Sequence, residues 1–298
     1  MVYTINELKD LERGKKVVVK GLVSKKDERR DKNGKGFIVI SLQDKTGKLE
    51  TPLWDNFDNY QEMIQESQVI QMSGSVDFYN SVTQIKNPTI TILQEDYKEY
   101  VPKYEISKEI IADFVEIVNG LEDKYKAFVK RAIGMDKFKL DRWHDFISAP
   151  AAEKHHHNKI GGLFLHTYGV VKAVQSIMEN YFQNSFHFSA EGVVNPDRLI
   201  VSAILHDYKK VEEYEWKAGN IKRAERLLGH RELGIAYVYE INTELGGILG
   251  MEDIEAIAYN ILSHHGQYGQ YELKSAENKI LHSADLADSQ LVGEIEGK

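Results

Sequence analysis

The spacing of apolar residues changes character once along this chain, and that change decides what the chain can fold into. From residue 16 to about 94 apolar positions recur with a period near two, in five runs: Val17 to Val23, Phe37 to Leu42, Leu49 to Trp54, Val69 to Gly74 and Ile85 to Leu93. A period of two places alternate side chains on opposite faces of a strand, and these runs are rich in β-branched residues. Turn-forming segments separate several of them, at Asp31 to Gly34, Asp44 to Gly47 and Tyr79 to Ser81. From about Tyr97 the period becomes helical, as in Ile106 to Val118, Leu121 to Ile133, Leu163 to Met178, Arg198 to Leu205, Glu232 to Leu245 and Asp253 to Ser263. At 298 residues with 42% hydrophobic content, the chain can build two cores. The change of period, with Pro102 beside it, predicts a boundary near residue 100 and domains over 1–100 and 101–298.

Between the third and fourth strands lies a polar segment, Asn56 to Glu66, with Tyr60, Met63 and Ile64 at helical spacing. Five short antiparallel strands with one helix after the third are the arrangement of an OB-fold barrel. The expected chain is thus a multidomain α and β protein, a five-stranded barrel followed by an all-α bundle. The formal charge of -8 argues against general affinity for polyanions, but it hides a local patch. Between Arg13 and Lys35 ten basic residues face three acidic ones. OB barrels bind single strands by stacking bases on aromatic side chains along a basic groove. Candidate platforms are Phe37, Trp54, Phe57, Phe78 and Tyr79; candidate phosphate contacts are Lys20, Lys25, Lys26, Arg29 and Arg30. The competing possibility is that Phe37 and Trp54 are barrel core and the basic loop is only solvated.

In the helical half, His206 and Asp207 adjoin at the end of the apolar run Leu199 to Leu205. An imidazole and a carboxylate are costly to bury there unless a cation binds them. Residues 100° apart on a helix reach one ion only where the helix end faces a pocket, so further ligands must come from other helices. His166, His206, His230, His264 and Asp285 are separated by 40, 24, 34 and 21 residues, and each interval accommodates a helix and a return. His265 follows His264 directly. The chain has no cysteine, so a metal here is held by nitrogen and oxygen, a donor set that suits Mn, Fe, Co, Ni or Zn better than Mg. His144, His187 and His282 read as surface or satisfied core residues, Asp288 as a solvated acid, and Asp197 after Pro196 as the cap of the helix that carries His206. No apolar run approaches the ~18 residues of a bilayer-spanning helix, and the expected location is cytoplasmic.

These residues match a known pattern. The order His166, His206-Asp207, Asp285 resembles the HD-domain metal-dependent phosphohydrolases. The segment Phe146 to Ala152, then His156-His157 to Gly161-Gly162 and His166, closely resembles the entry motif of the YhaM-type 3′→5′ exoribonucleases, which carry an OB-type domain ahead of the HD domain. The order that follows agrees: Leu205 to Lys210, Leu228 to His230, Leu262 to Gly266 and Ile280 to Asp285.

The resemblance implies that His166, His206, Asp207 and Asp285 hold a first divalent ion. Asp207 bridges to a second ion held by His230 and His264, with His265 as the alternative or additional ligand. It favours Mn, a phosphate contact at Lys210, substrate contacts at His156 and His157, and catalytic roles for Asp207, Lys210 and His265. The implied reaction is hydrolysis of single-stranded RNA, with single-stranded DNA as an alternative, to nucleoside 5′-monophosphates. Two positions depart from the family: Lys209, after Tyr208, stands where a glycine is usual before the lysine, and Leu165 stands where an acid precedes the first ligand. The rival readings are an HD hydrolase of small nucleotides and an inactive nucleic-acid-binding protein. Self-association is left open.

Overall fold

The computed structural model describes residues 1–183 and 192–296, so His187 lies outside the described residues. The chain forms two compact units, one of Met1–Lys103 with Trp216–Lys222, the other of Tyr104–Glu215 and the chain from Arg223 onward.

The first unit is the barrel. Its strands are β1 (Val2–Tyr3), β2 (Lys16–Arg30), β3 (Gly36–Asp44), β4 (Gly47–Leu53), β5 (Val69–Tyr79) and β6 (Val82–Leu93), with helix α1 (Phe57–Met63) between β4 and β5. The sheet runs β4-β3-β2-β5-β6, with short β1 added parallel to β2. Strand β2 is long enough to serve two partners, pairing with β5 through Lys16 to Leu22 and with β3 through Leu22 to Arg30. A bulge between Val23 and Lys25 bends it where the partner changes. The Ile85 amide donates to Thr51 Oγ1 at 3.2 Å, drawing β6 toward β4. Inside, Val19, Val23, Ile38, Ile40, Leu42, Ile70 and Met72 form the core.

The charged stretch Lys25 to Arg30, which has no apolar alternation and was read as a loop only in the competing reading, is the outer half of β2. Backbone pairing with Gly36 to Ser41 supplies the hydrogen bonds that make it a strand. Residues 216–222, the turn of a two-stranded hairpin with strands β7 (Tyr214–Lys217) and β8 (Asn220–Arg223), also pack in this unit. Their short polar strands carry no periodic signal in the sequence. The Gln43 amide donates to Gly219 O at 3.1 Å, and Ala218 N donates to Ser67 Oγ at 3.1 Å.

The second unit is helical: α2 (Lys108–Gly120), α3 (Asp123–Ala132), α4 (Leu140–Ser148), α5 (Gly162–Ile177), α6 (Pro196–Leu205), α7 (Lys210–Glu213), α8 (His230–Glu244), α9 (Met251–Ser263) and α10 (Ala276–Ile295). Its core is organised around rings. Phe114, Phe146 and Phe164 are fully buried, with Phe114 and Phe164 centroids 5.1 Å apart and Phe146 and Phe164 5.6 Å apart. Asn195, not Asp197, caps α6: its Oδ1 accepts from Arg198 N at 3.0 Å while Pro196 occupies the first turn. Asp197 instead accepts from Glu122 N at 2.7 Å at the start of α3. Ser275 and Asn278 form a reciprocal capping box that starts α10. No helix of the described residues is long and apolar enough to cross a membrane.

Gly74 sits at a bulge in β5, where an added Cβ would lie 2.4 Å from Ile85 Cγ2 and 2.8 Å from the Lys86 carbonyl oxygen. Gly74→Ala is therefore expected to destabilise the barrel by about 1–3 kcal/mol, measured as a lowered urea midpoint of the tryptophan signal.

Candidate metal centre

Four histidines reach one space from four helices, and each is oriented by its second ring nitrogen. His206 follows the last residue of α6 and its Nδ1 donates to the Ala203 carbonyl at 2.8 Å. His264 follows the last residue of α9 and its Nδ1 donates to Ile261 O at 2.7 Å. In both cases a helix end leaves carbonyls without intrahelical donors, and the imidazole N–H supplies one. The other two are held by carboxylates. His166, on α5, directs Nδ1 to Asp288 Oδ2 at 2.7 Å; His230, the first residue of α8, directs Nδ1 to Glu213 Oε2 at 2.5 Å. With Nδ1 committed to an acceptor, each ring offers Nε2 to the common space.

The Asp207 carboxylate stands at the centre of that space. Its Oδ2 lies 3.2 Å from His166 Nε2, 3.4 Å from His206 Nε2 and 2.6 Å from Lys210 Nζ. Its Oδ1 faces the other way, 3.2 Å from His230 Nε2 and 3.6 Å from His264 Nε2. Asp285, on α10, completes the first side with Oδ1 at 3.3 Å from His166 Nε2. His166, His206 and Asp285 thus converge on one side, and His230, His264 and His265 on the other. The His264 and His265 ring centroids are 4.2 Å apart.

Three buried atoms at this point have no hydrogen-bond partner: Asp207 Oδ1, His230 Nε2 and His264 Nε2. Unpartnered buried acceptors aimed at one another are costly in a protein interior. A divalent cation would satisfy all three, and the nitrogen and oxygen donors suit a first-row transition ion.

Burial pushes the His166 imidazolium down, but Asp207, Asp285 and Asp288 outweigh it and hold its pKa well above the usual value. Burial raises Asp207, but Lys210, His206 and His230 overcome it and hold its carboxyl well below the ordinary range. Burial and the neighbouring His206 hold His264 neutral. His265 falls to about 4, chiefly by burial. His156, half-buried with its ring centroid 5.9 Å from His166, is pushed down to about 4 by burial and by His166.

Several sequence expectations change here. Asp288 is largely screened from solvent by its bonds to His157 and His166, not solvated. His157, expected against the substrate, is 5% exposed and turns its Nε2 to Asp288 at 3.0 Å. Two expectations hold: His282 is a satisfied residue whose Nδ1 donates to His264 O at 2.7 Å, and His144 is exposed. Tyr208 and Lys209, which depart from the family pattern, are explained by packing. Tyr208 is buried and stacks on Tyr237 at 5.2 Å, and Lys209 lies over the Tyr237 ring at 4.5 Å. Leu165 packs against the helical core. Glu213 was missed, since nothing in its charged surroundings distinguishes it from Glu212.

In the barrel unit, Trp54 is 45% exposed and stacks on Phe37 with centroids 4.1 Å apart, so this pair forms a surface platform and not core. Tyr79 is exposed at the end of β5, whereas Phe57 and Phe78 pack against the barrel interior. The basic stretch is partly neutralised: Lys25 and Arg29 both pair with Asp27, Lys26 with Glu28 and Lys20 with Glu95. Arg30 donates to Gly34 O at 3.0 Å.

Residues 17–93 match the model of the OB-fold nucleic acid binding domain, and residues 163–289 match that of the HD domain. Over 297 residues the chain is 28% identical to a Listeria innocua protein named 3'-5' exoribonuclease YhaM, covering 95% of this chain and 88% of the relative. A Listeria monocytogenes protein of the same name is 29% identical with the same coverage. One from Bacillus pumilus is 26% identical over 306 residues, covering 98% of this chain and 88% of the relative. The HD domain implies binding of a divalent metal ion.

Glu213 is held at about 2, because its hydrogen bonds to His230 and the charges of His230 and Arg223 outweigh burial. A carboxyl depressed from its ordinary 4.5 stabilises the fold above that pH, and the contribution is lost as pH falls through about 2. In EDTA, the wild type is therefore expected to lose more stability than Glu213→Gln between pH 5 and pH 2 in this region, read from urea midpoints.

Proposed function

We infer that this chain, an OB-fold and HD-domain protein that resembles the YhaM-type exoribonucleases across both domains, is a metal-dependent 3′→5′ exoribonuclease. The observation that carries this is the Asp207 carboxylate, which turns one oxygen to His166 and His206 and the other to His230 and His264. A carboxylate so divided suits two cations. His166, His206, Asp207 and Asp285 would hold one; Asp207, His230, His264 and His265 would hold the other, Mn being favoured over Fe, Co, Ni or Zn. When bound, such ions activate water and neutralise phosphate charge.

The chain's own residues would act around them. Lys210 Nζ, 2.6 Å from Asp207, places a fixed positive charge beside the site to receive a non-bridging phosphate oxygen. His156 and His265, both held neutral near pH 7, can donate or accept hydrogen bonds with the substrate without adding charge. Hydrolysis at the 3′ end releases nucleoside 5′-monophosphates and leaves a shortened strand. In the barrel unit, the exposed Trp54 face backed by Phe37 offers a stacking surface, with Tyr79, Lys25, Arg29 and Arg30 as further contacts.

With Mn present, 5′-labelled single-stranded RNA should yield a descending ladder and 3′-labelled RNA mononucleotide at once. Chelation should abolish both, and His206→Ala/Asp207→Ala should lose at least about 10³-fold in rate. Hydrolysis of mononucleotides without attack on RNA would favour the small-nucleotide reading; equal activity in the double variant would sink the proposed centre. Trp54→Ala should weaken RNA binding by about 1–3 kcal/mol. Lys25→Ala/Arg30→Ala should flatten the salt dependence of binding, as measured by fluorescence anisotropy across a salt series.

A further inference from the structure

Helix α5 carries Gly162, His166 and Gly169 at intervals of four and three residues, which places them on one stripe. Both glycines make room for something. A Cβ on Gly162 would lie 1.9 Å from the His157 carbonyl oxygen, and a Cβ on Gly169 would lie 2.0 Å from Asp288 Oδ1. The stripe is therefore cut to the shape of two neighbours that meet His166 from either side.

Those neighbours also meet each other. Asp288 Oδ2 accepts from His166 Nδ1 at 2.7 Å and from His157 Nε2 at 3.0 Å. One turn earlier on α10, Asp285 faces the opposite nitrogen of the same ring, so a single helix holds both ends of the His166 imidazole. His157 adopts φ 58, a left-handed conformation that a non-glycine residue keeps only when its surroundings hold it there. Three contacts do so: its N–H donates to Glu296 Oε2 at 3.3 Å, its carbonyl accepts from Ala151 N at 3.0 Å, and its ring reaches Asp288. His156 precedes this residue at the edge of the metal centre.

We propose that Asp288 is a positioning carboxylate that fixes the His166 ring and the His156-bearing loop together, so that the metal-facing and substrate-facing sides of the centre are set by one oxygen atom. Asp288 acts through its bonds to His157 and His166. The inference rests on the centre being a metal site, and it extends the nuclease reading without requiring it.

The test uses the full-length protein and two variants that disturb Asp288 differently. Asp288→Asn removes the shared acceptor; Gly169→Ala keeps the carboxylate and displaces it. Calorimetric titration with MnCl2 should show affinity reduced about 10–100-fold in both variants. Amide hydrogen exchange in EDTA should accelerate about tenfold at Ala151 and His157, while core amides of α2 and α3 keep wild-type protection. Wild-type Mn affinity in the two variants, or unchanged exchange in the loop, overturns the proposal. If Asp288→Asn does not fold, Gly169→Ala decides alone. A wild type that binds Mn but cuts no RNA would overturn the nuclease reading, while reduced Mn affinity and faster loop exchange in the variants would leave Asp288 in its role.

Discussion

The Asp207 carboxylate is 2% exposed, and a buried anion is tolerated only where cations or donors surround it. Lys210 supplies one from the next turn of chain and His206 adjoins it, but His166, His230 and His264 must come from other helices. That demand sets the architecture of the helical unit. Helices α6 and α9 end at the centre, α8 begins there, and α5 and α10 pass it with one face. The ring cluster of Phe114, Phe146 and Phe164 meets the stack of Tyr208 on Tyr237 where Phe146 lies 5.7 Å from Tyr208, the residue that follows Asp207. Rigid apolar packing there keeps the donors converged although like charges and orphaned acceptors would push them apart.

The four imidazoles are aimed by two devices. At His206 and His264 a helix end does the work, since carbonyls left over at the last turn accept Nδ1–H. At His166 and His230 carboxylates do it, and these bring charge as well as direction. The helix-end device needs only one histidine placed at the right residue. The carboxylate device needs a second element to deliver Asp288 or Glu213, which makes those two ligands dependent on how α10 and α7 are packed.

In the barrel unit, electrostatics is more local than the composition suggests. Asp27 takes up both Lys25 and Arg29, and Glu95 takes up Lys20. Such exposed pairs contribute little to stability and separate readily when a phosphate competes. The stacked Phe37 and Trp54 are the more defined feature, because their geometry is fixed by adjacent strand ends that pair Ile38 with Leu53.

The amino-acid sequence alone determined the five main barrel strands with the helix after the third, the barrel class, most of the helices, and His166, His206, Asp207, His230, His264 and Asp285 as the residues to examine, but not β1, the β7-β8 hairpin, α4 or α7. It could do so because periodicity, turn residues and the burial cost of polar groups are local properties. The family resemblance added their pairing into a metal centre. Only tertiary structure decided that Asp288 is shared between His157 and His166, that Glu213 aims His230, that His157 turns inward, and that Asn195 rather than Asp197 caps α6. Each depends on which side chain from a distant segment arrives to accept or donate a hydrogen bond. Spacing along the chain carries no record of that partner, whereas the packed helices bring the two atoms within 3 Å of each other.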